Sequence, residues 1–276
     1  MPSKSRTDES EVLDSSAQIH GRVAAQFGAA ANAYTVSLTH SDPAALAHVI
    51  ELASPKPTDV ALDIATGAGH TALALAPHVA QVVAYDLTEP MLAETARNAA
   101  ARGLKNVTTR QGAAESLPFP DASFDIVTVR QAPHHFADVR AAVRQMARVA
   151  RPGARVIILD STAPENDALA DEWNQLEKLR DPSHVQNYRP SEWREFVAAA
   201  GLKVFGEEVG AASEKGGPMD FAAWIRRINT PPDAAAEVER LFRTASPALA
   251  QALRIEIIEG KLYFRVPQFT IASLKQ

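Results

Sequence analysis

The chain has 276 residues and 46% hydrophobic content, enough for one large domain with an appendage or for two small domains. Its 28 basic and 33 acidic side chains leave a net charge of −5, which supplies no basic field for a nucleic-acid backbone and argues against nucleic acid as a partner. There is no cysteine, so disulfides, thiolate metal sites and cysteine nucleophiles are excluded; the polar amino end and the lack of any run near eighteen apolar residues predict a cytoplasmic protein with no membrane span.

Residues 1–15 are polar and without periodicity, which predicts a disordered tail. Over 16–55 two helices are expected to cover whatever site the sheet carries: Ile19, Val23, Phe27 and Ala31 recur at helical spacing, and Asp42 with Pro43 opens a second helix that runs to about Leu52. Two prolines in S-P-K-P-T-D at 54–59 then turn the chain into an apolar strand, V-A-L-D-I, at 60–64. That strand ends in a small-residue turn with Gly67 and Gly69, and a helix from His70 to Ala76 follows, its free amino-terminal N–H groups expected to face a ligand over the glycines.

Short strands and helices now alternate. Strands are predicted at 81–85 (ending at Asp86), 106–110, 124–130, 154–160 and 203–209, with helices from Thr88 to Gly103, from Asp138 to Ala150, and over 165–179 and 190–200. This alternation predicts an α/β fold, a doubly wound, Rossmann-like, mostly parallel sheet with helices on both faces, over 56–210. Residues 211–258 break the pattern: Gly216-Gly217-Pro218, Pro231-Pro232 and Pro247 punctuate three short amphipathic helices around Trp224, Leu241 and Leu253, read as a mobile helical cap over an acceptor. Residues 259–276 read as a hairpin-like pair of terminal strands, 261–266 and 268–274, the last an edge strand where Pro267 is tolerated.

In a doubly wound sheet ligands lie at the carboxyl ends of the strands, so Asp63, Gly67, Gly69 and Asp86 converge on one crevice, with Asp86 placed to accept hydrogen bonds from a ribose. G-A-G-H-T-A at 67–72 satisfies the dinucleotide fingerprint, which leaves a nicotinamide-dependent oxidoreductase open. An acid at Asp63 is costly beside a pyrophosphate and useful beside an amine, which favours S-adenosylmethionine. His134 and His135 follow the fourth strand on the crevice side, where an imidazole can take a proton from a hydroxyl acceptor or simply hydrogen-bond within its loop. Phe27 and Tyr34 read either as an aromatic lid or as core, and the aromatics Trp173, Tyr188, Trp193 and Trp224 either cover an acceptor or pack inside. No residue spacing suggests a metal site.

D-I-A-T-G-A-G at 63–69, Asp86, Q-G-A-A-E-S-L-P-F-P-D-A-S-F-D at 111–125, H-H-F at 134–136 and R-P-G-A at 151–154 together resemble the class I S-adenosylmethionine-dependent methyltransferases, most closely the group that includes the ubiquinone and menaquinone biosynthesis enzymes. The likeness spans about residues 20–210 and implies a seven-stranded sheet and methyl transfer that leaves S-adenosylhomocysteine; the apolar, alanine-rich cap suits a small, partly apolar acceptor, and a monomer or homodimer is expected. The likeness implies that Asp63, Ala65, Gly67 and Gly69 surround the methionine part, Asp86 binds the ribose, Leu87 packs on adenine, and Ala114 and Glu115 lie along the adenine edge; apart from the likeness, Tyr34 of the aromatic lid and Arg130 at the end of the fourth strand are read as cofactor contacts. Members commonly have aspartate where this chain has Ala113, so another group must take over that contact. A binding scaffold with a degenerate acceptor pocket is the non-enzymatic alternative.

Overall fold

The computed structural model describes residues 16–28, 41–211 and 218–276. The predicted tail, Tyr34, Gly216 and Gly217 lie outside the described residues. A helix over 16–28 (α1) leads to α2 (Pro43–Ala53), whose amino end is capped by the Asp42 carboxylate accepting from the Ala44 N–H at 3.0 Å.

The sheet is assembled from β1 (Val60–Ile64), β2 (Gln81–Asp86), β3 (Val107–Gln111), β4 (Phe124–Arg130), β5 (Ala150–Ser161) and β6 (Leu202–Ala211), with α3 (His70–Leu75), α4 (Glu89–Ala101), α5 (Val139–Val149), α6 (Asp167–Arg180) and α7 (Pro190–Ala199) between them. With a last strand, β10 (Pro267–Lys275), the order is β3-β2-β1-β4-β5-β10-β6, seven strands, the first five parallel. Alternation along each strand divides the side chains between two cores. Leu62, Ile64, Val127, Val129, Val156 and Ile158 point to α5 and α7, where Val143, Met146, Trp193 and Phe196 wait. Ala61, Ile126, Ile157 and Leu159 point to the other face, against Val49, Ala53 and Leu75 of α2 and α3.

The end of the chain departs from expectation. It does not form a hairpin of consecutive strands. β9 (Lys261–Phe264) joins β7 (Met219–Asp220) and β8 (Glu256–Ile258) in a separate antiparallel sheet of order β7-β9-β8, while β10 (Pro267–Lys275) enters the main sheet. Nor is β10 an edge strand: it runs antiparallel between β5 and β6, Phe269 pairing with Asp160 on one side and Val209 on the other. Phe269, Ile271, Ala272 and Ser273 are buried, which rewards an interior position, and Pro267 is accommodated because it is the first residue of the strand.

Three short cap helices are present, α8 (Phe221–Arg227), α9 (Pro232–Arg243) and α10 (Pro247–Ala252). They are not a loose cover. Trp224, Phe242, Leu249, Leu253 and Phe264 enclose a hydrophobic core of their own with Trp173 and Leu176 of α6, so the cap unit reaches from α6 to β9 rather than over 211–258. Trp173 and Trp224 lie near-parallel at 6.2 Å, with Phe242 and Phe264 packed edge-on around them.

Candidate active site

Three parallel strands end in acids or cations on one side of the sheet, and each is held by hydrogen bonds from the next element. At the end of β1, Asp63 is 1% exposed; its Oδ2 accepts from the Thr66 hydroxyl (2.6 Å) and the Ala72 N–H (3.1 Å), and its Oδ1 accepts from the Thr128 hydroxyl of β4 (2.7 Å). Burial pushes its carboxyl up to about 6, against the pull of those hydrogen bonds and of Arg130. Where the sequence suggested that the amino end of α3 faces a ligand, one of its N–H groups, that of Ala72, is taken by an acid of the protein itself.

Asp86 ends β2. Its Oδ2 accepts from the Gly67 N–H at 2.9 Å, and its Oδ1 from the Thr88 N–H and hydroxyl, both at 2.9 Å. Burial raises this carboxyl too. Thr88 is thus turned toward Asp86 and makes no side-chain cap on α4. Between the two acids the turn passes through Ala65 and Gly67 with φ of 51° and 56°. A non-glycine residue in the left-handed region stores local strain, and Ala65 shares that state with Gln131 (φ 55°) at the end of β4. Two polar side chains of α4 pin the turn from behind: the Thr95 hydroxyl donates to the Gly67 carbonyl at 2.7 Å and the Asn98 amide to the Ala68 carbonyl at 3.0 Å.

The cleft over this turn is lined by Asp63, Ala65, Gly67, Asp86, Leu87, Ala114, Glu115, Arg130 and His135 among the expected site residues, with Phe27 and His20 of α1 above them. Gly69 is not part of the lining: a Cβ there would meet the Thr95 side chain at 2.8 Å, so this glycine lets α3 approach α4. Glu115 is less available than expected, since its Oε1 accepts from the Ala137 N–H at 2.8 Å and its Oε2 lies 3.4 Å from His20 Nε2. At the departing position Ala113, the buried Tyr85 hydroxyl donates to the backbone carbonyl at 3.1 Å, and burial pushes that phenol up to about 12. Arg130 Nε donates to the Thr71 hydroxyl at 3.1 Å.

The two histidines part company. His135 lines this cleft, whereas His134 faces a second, adjoining cleft under the cap together with Met219 and Trp224; Phe221 stays inside the cap core. Trp173 and Trp193 are core residues, and Tyr188 packs on Trp193 and Phe196. Sequence reasoning passed over Thr95, Asn98, Thr128 and Asp160. The last had a signal: R-V-I-I-L-D closes an apolar strand on an acid just as V-A-L-D and V-V-A-Y-D do. Among the described residues no group of three or more metal-binding side chains occurs, and no helix is long and apolar enough to cross a membrane.

A family profile described as a methyltransferase domain matches residues 62–158. The uncharacterized methyltransferase YcgJ of Bacillus subtilis is 44% identical over 172 residues, 62% of this chain and 66% of the relative. Its crystal structure superposes with a TM-score of 0.79 and 36% identity, covering 84% of this chain and 97% of that one. A Bacillus halodurans crystal structure gives 0.78 and 33% over 83% and 98%. The demethylmenaquinone methyltransferase of Thermus thermophilus is 40% identical over 121 residues, 43% of this chain and 54% of that enzyme. Two acids at adjacent strand ends, the alanine-glycine turn between them and these matches agree: the chain belongs to the class I S-adenosylmethionine-dependent methyltransferases, related to the ubiquinone/menaquinone group.

Proposed function

We propose that this methyltransferase binds S-adenosylmethionine in the cleft at the ends of β1, β2 and β4 and passes its methyl group to a small, partly apolar acceptor in the cytoplasm. The observation that carries the reading is the pair of buried acids beside the turn: Asp63 holds the Ala72 N–H and Asp86 the Gly67 N–H, which puts carboxylates where a pyrophosphate would be repelled and favours a ligand that brings a sulfonium and an ammonium. Asp86 would receive the ribose hydroxyls, Leu87 and Ala114 the adenine faces, Ala65 and Gly67 the methionine part, and Arg130 the carboxylate. Asp63 acts through the turn it holds, and Glu115 through its grip on the Ala137 N–H and His20.

The sulfonium supplies a strong methyl electrophile, so the chain's task is to align an acceptor behind the methyl group and keep water out. Calorimetry on the purified protein is expected to show binding of S-adenosylmethionine and S-adenosylhomocysteine and none of NAD or NADP. Asp86→Ala, which loses charge-assisted hydrogen bonds, should weaken S-adenosylhomocysteine by about 10- to 100-fold with unchanged far-UV circular dichroism. Binding of a nicotinamide dinucleotide alone would overturn this reading.

A further inference from the structure

The second cleft adjoins the first and shares Phe27, Gln131 and His135 with it. His134, beyond the end of β4, and Ser161, the last residue of β5, form one side; α6 and the cap form the other, where Met219, Trp224, Ile228 and Val266 stand beside Glu177, Arg180 and Arg227. Within it His134 is fixed at two points by one buried acid. Its N–H donates to Asp160 Oδ2 at 2.8 Å, and its ring Nδ1 donates to Asp160 Oδ1 at 2.6 Å. The Ser161 hydroxyl lies 3.2 Å from the same Nδ1 and donates to Asn187 Oδ1 at 2.5 Å, which holds the ring from a second side. Because the carboxylate can only accept, Nδ1 carries the proton and Nε2 bears the lone pair; no described residue hydrogen-bonds to Nε2.

His135 has a different fate. Its Nδ1 donates to the Ser183 carbonyl at 3.0 Å, Phe27 packs edge-on at 4.8 Å, and no carboxylate bonds to it directly: Asp181 stands one hydroxyl away, beyond the Ser183 Oγ that lies 3.3 Å from Nδ1. Burial and the neighbouring His134 push it down to about 3, so it stays neutral. For His134 burial works downward as well, but the charge and hydrogen bond of Asp160 outweigh it and the ring titrates above its ordinary value. His135 and His184 lie beside that ring at 4.1 and 5.7 Å, and Glu177 and Asp181 add to the upward pull.

We infer that the second cleft receives the methyl acceptor, that His134, oriented by Asp160, is its general base, and that the acceptor is a hydroxyl acid, a phenol or enol, rather than an amine. This rests on the methyl-donor reading of the first cleft. An amine brings or develops positive charge on nitrogen as it takes the methyl group, and the cleft already holds the guanidinium groups of Arg180, paired with Glu177 at 2.9 Å, and Arg227, which disfavour that charge. A neutral hydroxyl on an apolar ring needs only a lone pair and the apolar side chains described. In the step, the acceptor O–H gives its proton to His134 Nε2, forming an imidazolium paired with Asp160. The oxygen's electron pair forms the bond to the methyl carbon, the carbon–sulfur bond breaks with its electrons remaining on sulfur, and His134 later returns the proton to solvent.

The test uses the full chain, labelled S-adenosylmethionine, and the probes phenol, catechol and 4-nitrophenol against aniline and benzylamine. Methyl ethers are expected from the hydroxyl probes and nothing from the amines, with kcat rising with pH to a plateau whose midpoint lies above 6.5. His134→Asn, whose amide can keep the Asp160 hydrogen bond but offers no basic nitrogen, should lower kcat at least about 100-fold and abolish the rising limb, leaving KM and S-adenosylhomocysteine affinity within about twofold. Asp160→Asn should move the midpoint downward. A turnover-independent readout is the absorbance of 4-nitrophenol bound to the S-adenosylhomocysteine complex: it should ionise at lower pH than the free phenol in the wild type and not in His134→Asn. Methylation of the amines, undiminished turnover in His134→Asn, or no spectral shift would each overturn the inference. Failure to bind S-adenosylhomocysteine would instead bring down the methyl-donor reading.

Discussion

The two clefts touch, yet they are built by opposite means. Apart from α1, the first is made from residues 63–136, one run of β-α-β units in which backbone turns and strand-end acids supply the shape. The second gathers side chains from 131 through 266, with Phe27 of α1, and its far wall exists only because α6, α8 and β9 close a core around Trp173 and Trp224. A cleft made by local backbone is specified by a short motif and tolerates little change; one made by distant side chains changes whenever the packing behind it does. The methyltransferase-domain match follows this division, covering 62–158 and stopping before Ser161, Glu177 and every cap residue.

The largest effect should come from breaking the cap alone. Trp173 is fully buried at its centre, so Trp173→Ala should cost about 3–5 kcal/mol and open the second cleft. Near-UV circular dichroism should fall as the cap loosens, while S-adenosylhomocysteine affinity stays within about twofold. Joint loss of cap signal and cofactor binding would mean that the clefts stand or fall as one unit.

Next in size is a test confined to the first cleft. The Asp63 carboxyl is raised from 3.8 to about 6, so between those values the native state holds a proton that the unfolded chain has released. Its contribution is present at low pH and is lost as pH rises through 6, an interval worth about 3 kcal/mol. Asp63→Asn removes that titration. Melting temperatures measured from pH 4 to 7 should show the wild type losing stability relative to the variant over this window, whatever constant offset the altered hydrogen bonds add. Parallel curves would show that Asp63 is not the buried acid described.

How far the sequence reaches follows the same division. V-A-L-D and V-V-A-Y-D announce a strand and the end of it that carries the acid, and the mostly parallel α/β architecture was legible from the alternation of such apolar runs with helices. What Gly69 does was not legible, because a glycine needed by a ligand and one needed by Thr95 look alike in a string. The fate of β9 and β10 was hidden for another reason: consecutive strands pair locally by default, and only the burial of Phe269 and Ile271 shows that β10 belongs between β5 and β6. Asp160 was visible as a strand-end acid, but its pairing with His134 depends on β4 and β5 being neighbours in register.

The smallest expected effect tests how tightly the first cleft's wall is fixed at Ala113, where this chain lacks the family's aspartate. Gly112 sits beside the Tyr85 ring so closely that an added Cβ would lie 2.0 Å from the phenol oxygen and 2.7 Å from Cζ. The ring cannot simply swing aside: it is buried, packs edge-on against Phe119 at 5.7 Å, and its hydroxyl donates to the Ala113 carbonyl. Gly112→Ala must therefore displace either the phenol or the backbone that donates from Gly112 N–H to the Asp86 carbonyl, at about 1–3 kcal/mol. Because that backbone leads from Asp86 to the wall proposed for adenine, S-adenosylhomocysteine affinity should fall several-fold while the cap's near-UV signal is unchanged. Tyr85→Phe removes the nearest clashing atom, so the double variant should lose at least about 0.5 kcal/mol less than the two single changes summed. Additive losses would show that glycine is needed at 112 for its backbone alone and that Tyr85 does not set the wall.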